Sequence, residues 1–176
     1  MTQLSERDLE FDFAAALKAV KFDDGITHAK SSVQAVDFIV EHADRYTFVE
    51  VKDPDEPGAA NVEAFREKLK SGQLIRSLAG KFRDSLFFRV IQGVEKKPVE
   101  YIVLLSMAAL TDADLLTKTD ELKRSLPIEH SDWPENCATS CVIMNVRQWR
   151  RKFGDESLKR LSIPVPPAVA APQVGA

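Results

Sequence analysis

Residues 33–53 read VQAVDFIVEHADRYTFVEVKD, and the rest of the chain is best read outward from them. Two runs, 33–41 and 46–51, are rich in β-branched and aromatic side chains. The short polar turn at Ala43-Asp44-Arg45 joins them as a predicted β-hairpin. Side chains alternate along a strand, so Glu50 and Lys52 share a face with Tyr46 and Phe48, while Val49 and Val51 point the other way. Asp37 interrupts the first run as Glu50 and Lys52 interrupt the second. Charge buried in a sheet is costly unless it pairs or binds something.

Two readings account for these charges. One is an ion pair, Glu50–Lys52 or Asp37–Lys52, on a solvated sheet face. The other is a divalent-metal site for phosphodiester hydrolysis, which the apolar context of both strands favours. Two carboxylates on neighbouring strands suit a hard cation such as Mg²⁺ or Mn²⁺, which takes oxygen ligands and keeps several waters. A lysine beside them would orient the attacking water or balance the developing charge.

The spacing, Asp37 followed by twelve residues and then Glu50-Val51-Lys52, resembles the D…(D/E)xK core of the PD-(D/E)XK nuclease superfamily. Val36 stands where the name-giving proline would be, leaving the ligand position itself intact. The order of predicted elements from about residue 5 to 153 also resembles that family's α-β-β-β-α-β core. The resemblance implies an α/β fold, a central mixed sheet flanked by helices with a restriction-endonuclease-like core. It also implies Asp37 and Glu50 as metal ligands and Lys52 as the residue that assists the attacking water. In this family a first-helix glutamate often completes the metal shell, and Glu10 is the best match. Gln73 matches the helix glutamine that follows the ExK lysine in several branches. Ser77 stands where the RecB-type pattern has a tyrosine.

Upstream, Ser5 and Asp8 fit a helix-capping pattern, with Leu9, Phe13, Ala16, Leu17 and Val20 following at helical spacing, so a first helix is expected there. On it, Glu6 and Glu10 also suit the positive end of a helix dipole. Asp23-Asp24-Gly25 signals a turn before a short strand through Ile26 and Ala29. His28 reads as a surface residue.

Downstream, DPDEPGAAN (53–61) is a loop. A long helix is predicted over 62–90, with Ile75, Leu78, Ala79, Phe82 and Leu86 as its buried stripe and Arg66, Lys70, Gln73 and Ser77 opposite. That span has seven basic residues against three acids, an excess of +4. Residues 99–107 form a near-continuous apolar run, as in a strand buried on both faces. A helix over 112–126, with Leu115, Leu116, Leu122 and Leu126 inward, leads to a strand over 139–145, completing a parallel crossover. Asn145 and Gln148 cap a last helix carrying Trp149 and Phe153 on its core side. Arg147, Arg150 and Arg151 on that helix, with Arg66 and Lys70, are the candidate phosphate-backbone contacts. Six basic residues against two acids in 137–163 again give an excess of +4.

The chain has 176 residues, 44% hydrophobic and 29% charged, with a net charge of −3. That fits one globular domain over 1–163, with a Pro/Ala-rich tail at 164–176 expected to be extended or disordered. No apolar run reaches the length of about 18 residues that a membrane span needs. MTQLSERDLE is too acidic and polar for a secretory signal, so the expected location is cytoplasmic. Cys137 and Cys141, the only cysteines, make a poor zinc site. Gly-rich phosphate loops, G-x-S-x-G and HExxH are all absent.

The expected function is a metal-dependent nuclease acting on DNA before RNA, alone, as a homo-oligomer or with a partner subunit, and not on a membrane. A reading from a different class is a non-catalytic interaction or regulatory subunit that retains the nuclease fold. Small size, acidic net charge and the lack of an appended recognition domain support it.

Overall fold

The hairpin forms at the expected turn, with its first strand shorter than the 33–41 run: β4 (Phe38–Glu41) pairs antiparallel with β5 (Tyr46–Lys52), and the turn closes through His42 N–H to the Arg45 carbonyl. The computed structural model describes residues 2–24 and 33–162. The expected strand through Ile26 and Ala29 and the 164–176 tail lie outside the described residues.

Around the hairpin runs a five-stranded mixed sheet in the order β3 (Lys18–Lys21), β4, β5, β6 (Val99–Leu105), β7 (Ser140–Met144). The first three strands are antiparallel and the last three parallel. Successive right-handed crossovers in one direction put their helices on one face. There α1 (Val62–Lys70), α2 (Gln73–Ile91) and α3 (Asp112–Ser125) connect the parallel strands, with Phe48, Ile75, Leu78, Phe82, Tyr101, Leu115 and Leu122 in the core. The α/β class expected from sequence is the class observed.

The long helix over 62–90 is in fact two. Gly72 takes φ +72°, a left-handed conformation that glycine adopts at little cost, and it separates α1 from α2. In α3, Leu115 and Leu122 point inward as expected, but Leu116 is exposed.

The N-terminal segment is not helical. Residues 3–12 form a hairpin, β1 (Gln3–Glu6) and β2 (Leu9–Asp12), turning at Arg7 with φ +51°. Leu9 and Phe11 are buried while Glu10 and Asp12 are not, a period of two that local helical spacing obscured. β8 (Leu158–Arg160) pairs with β2 and completes a small three-stranded sheet. This sheet and α4 (Val146–Phe153) cover the second face of the large one. Phe11 meets Phe38 and Trp149 edge-on, each at 5.2 Å, geometry worth about 0.5–1.5 kcal/mol per pair beyond burial. The Asn145–Gln148 capping box starts α4 as expected. Trp149 is its core residue, whereas Phe153 is 43% exposed and leans on the Trp149 ring.

Among the described residues, no helix is long and apolar enough to cross a membrane.

Candidate active site

The register that pairs Phe38 with Val49 sets Asp37, one residue earlier, alongside Glu50. Both lie on the helix-covered face of the sheet. Asp37 is held by its surroundings: its Oδ2 accepts from Val51 N–H at 2.6 Å and its carbonyl accepts from Phe22 N–H at 2.7 Å. α2 fixes the segment before it, since Ser85 Oγ accepts from Val36 N–H and Asp84 Oδ2 accepts from Gln34 N–H, each at 2.9 Å. Asp37 is 4% exposed and Glu50 0%.

Two ammonium groups meet this pair. Lys52 donates to Glu50 Oε1 from the end of β5. Lys81, on α2, stands 2.8 Å from the same oxygen and 3.7 Å from both Asp37 Oδ1 and Asp23 Oδ2. Glu50 Oε2, fully buried, has no hydrogen-bond partner among the described residues. Burial first, then the Glu50 charge, pushes the Asp37 pKa up to about 7. Burial works against the Lys81 ammonium, yet Glu50 and Asp37 hold its pKa above the ordinary lysine value.

Asp37, Lys52 and Lys81 open into a cleft of about 280 Å³ whose wall includes Glu6, Arg7, Asp23 and the start of α1. The cleft lies at the carboxyl end of β5, one of the three parallel strands, and such strand ends are where open α/β sheets place ligands. Arg160 lies outside the cleft lining and pairs with Asp53, which is part of it. Its guanidinium donates to both Asp53 oxygens and to Asp8 Oδ2 at 2.9 Å, and to Ser106 Oγ at 3.1 Å. That cluster ties the small sheet to the ends of β5 and β6.

The donor set suits a divalent cation. Asp37 and Glu50 are the carboxylates that could hold one: Glu50 Oε2 lacks a hydrogen-bond partner among the described residues, while Lys52 and Lys81 already engage Oε1. Among the described residues, no group of three or more His, Cys, Asp or Glu side chains is arranged to hold a metal ion.

The structure brings Asp37, Glu50 and Lys52 together and leaves the other sequence candidates outside. Glu10 sits on β2 opposite Lys159, away from the cleft lining, and Glu6 lines the cleft instead. Gln73 is exposed at the start of α2; eight residues, about 12 Å of helical rise, separate it from Lys81. Lys81 went unread, although it falls three residues after Leu78 and four before Ser85, along the buried edge of the helix.

Among the basic candidates, Arg66 is exposed and 3.3 Å from Glu63, and Lys70 is exposed on α1. Arg147 forks onto Asp112 at 2.7 and 2.8 Å, and Arg150 donates to the Leu158 carbonyl. Arg151 is exposed, beside a groove between α4 and α3.

No protein-family model matches the chain, and no curated protein matches it. Among solved structures the chain is similar to the small subunit of a heterodimeric restriction endonuclease. That match has 12% identity and a TM-score of 0.39, covering 79% of this chain and 59% of that one.

Proposed function

We propose that this chain is a metal-dependent nuclease of PD-(D/E)XK type, hydrolysing phosphodiester bonds of nucleic acid with DNA preferred. The observation that carries the reading is the buried Asp37–Glu50 pair, in which Glu50 Oε2 has no hydrogen-bond partner among the described residues, with Lys52 beside it at the mouth of a polar cleft. Asp37 and Glu50 hold the cation, Mg²⁺ or Mn²⁺. When bound, the cation supplies Lewis-acid polarisation of the phosphoryl oxygens. Lys52, 27% exposed, orients the attacking water and offsets charge developing on the phosphate. The exposed cations of α1 and α4, chiefly Arg66, Lys70 and Arg151, take the flanking backbone by counterion release. Arg147 and Arg150 serve only if they leave Asp112 and the Leu158 carbonyl.

One observation favours the non-catalytic alternative. Two lysines already engage Glu50, an arrangement that an interaction module could retain as a structural ion cluster. Incubating the purified chain with plasmid and branched DNA separates the readings. Cleavage that requires Mg²⁺ or Mn²⁺ and stops with chelator supports the nuclease; intact DNA under all conditions, with metal bound, supports the module.

A further inference from the structure

We propose that Lys81 is the displaceable counter-ion of the carboxylate pair: it holds the place of the divalent cation in the metal-free chain and turns to the substrate phosphate once the cation enters. This deepens the nuclease reading and rests on it for the phosphate half.

Lys81 touches all the acids of this cluster. Its ammonium lies 2.8 Å from Glu50 and 3.7 Å from Asp37 and Asp23, so one cation answers three carboxylates contributed by the sheet and the segment before it. The side chain is only 16% exposed, and Glu50 is not exposed at all. An uncompensated carboxylate at that depth would be strongly destabilising, so the metal-free fold needs a cation there.

Lys52 does not meet that need alone. It reaches the Glu50 oxygen that Lys81 also uses, and its side chain is more open to the cleft. A divalent cation joining Asp37 and Glu50 would stand next to the Lys81 ammonium and repel it in a partly desolvated place. Both cannot keep full contact with the same oxygens. A lysine head on a four-carbon stem is free to swing, unlike the planar arginine fork at Arg160. Because Lys81 lines the cleft, the position it swings towards is the one a phosphodiester would occupy.

The consequence is a sign that a purely structural salt bridge would not give. If Lys81 competes with the metal, removing it tightens metal binding; if it merely holds the fold together, removing it weakens or does not change metal binding. Arg76, on the same helix and exposed, controls for the general loss of positive charge.

The test is calorimetric titration of Mn²⁺ into the full chain, its Lys81→Met and Lys81→Arg variants, and Arg76→Met. Lys81→Met should bind Mn²⁺ about tenfold more tightly, Arg76→Met should change by less than about twofold, and Lys81→Arg should stay near the parent. A second measurement on the unmutated chain covers a Lys81→Met variant that does not fold. Acylation by an amine-reactive reagent, read at Lys81 by mass spectrometry, should rise several-fold when Mn²⁺ saturates the protein. Tighter Mn²⁺ binding without DNA cleavage by the parent chain would uphold the counter-ion and reject the nuclease. Metal-dependent cleavage by the parent, with Mn²⁺ affinity in Lys81→Met no tighter and Lys81 labelling unmoved by Mn²⁺, would overturn the counter-ion and leave the nuclease standing. Absence of Mn²⁺ binding by every folded variant would overturn both.

Discussion

At one end of the five-stranded sheet, Tyr46, Phe48 and Val99 floor a groove of about 630 Å³ walled by Leu86, Phe87, Val90 and Trp133. At the other, a cleft of about 280 Å³ holds Asp37, Lys52 and Lys81. The larger concavity is mainly apolar; on its rim Lys97 sits 2.8 Å from Glu41 and Lys96 3.2 Å from Glu135, while Arg89 Nε is buried without a hydrogen-bond partner among the described residues and its guanidinium stacks over the Tyr46 ring. The smaller one is lined by an aspartate that resists ionisation and two lysines, with the buried Glu50 behind them. Size reflects where apolar loops meet; reactivity follows where carboxylates and ammonium groups are gathered in one buried cluster. The two ends can therefore be set against each other by mutation.

The largest effect is expected at Lys52. Lys52→Ala should lower the cleavage rate by about 100- to 1,000-fold without weakening Mn²⁺ binding and with DNA affinity nearly intact, because it removes an interaction strengthened in the transition state. An equal loss of DNA binding would make Lys52 a simple phosphate contact.

Arg160→Ala should be the most destabilising change at this end. It strands Asp53, whose side chain is fully buried, and releases Asp8; the loss is about 3–5 kcal/mol by denaturant titration. A loss near zero would mean that water replaces the guanidinium and that the small sheet is not anchored through it.

Asp37→Asn has a pH-dependent sign. The folded chain keeps a proton on Asp37 up to about pH 7, whereas the unfolded chain releases it near the ordinary 3.8. Stability from this group therefore falls as pH rises through that window, and its cost is complete above about 7. Metal-free Asp37→Asn should be more stable than the parent above that pH, by a few kcal/mol at most, with the gap closing towards pH 4. A gap that widens on acidification would show that Asp37 is ionised throughout.

The smallest effect belongs to the other end. Phe87→Ser, at a side chain already 62% exposed, should shift stability by about 0.5 kcal/mol or less and leave cleavage unchanged. Impaired cleavage would tie the apolar groove to the site and break the contrast.

These contrasts also explain what the sequence could and could not show. The hairpin was legible because both runs are rich in β-branched and aromatic residues and a short polar turn joins them, so the whole signal lies within one stretch of sequence. The N-terminal hairpin was not, because Leu9 and Phe11 alternate over four residues only and Leu9, Phe13, Ala16 and Leu17 also fall at helical spacing; the third strand of that sheet, β8, lies about 150 positions away. No local window carries that pairing. The same distance hid Arg160, which meets Asp8 only after the chain has closed. Asp37, Glu50 and Lys52 were readable because one register sets them together. Lys81 belongs to an element whose rotation against the sheet only the packed core defines, so the helix glutamine drew attention that the lysine warranted.

Metal binding at the hairpin is the claim on which the rest depends. Calorimetric titration of Mn²⁺ into the parent chain, Asp37→Ala and Glu50→Ala tests it most directly. The account predicts saturable binding by the parent and at least tenfold weaker binding by each variant, about 1.4 kcal/mol or more. Mn²⁺ affinity unchanged in both folded variants would contradict it and place the metal elsewhere or nowhere.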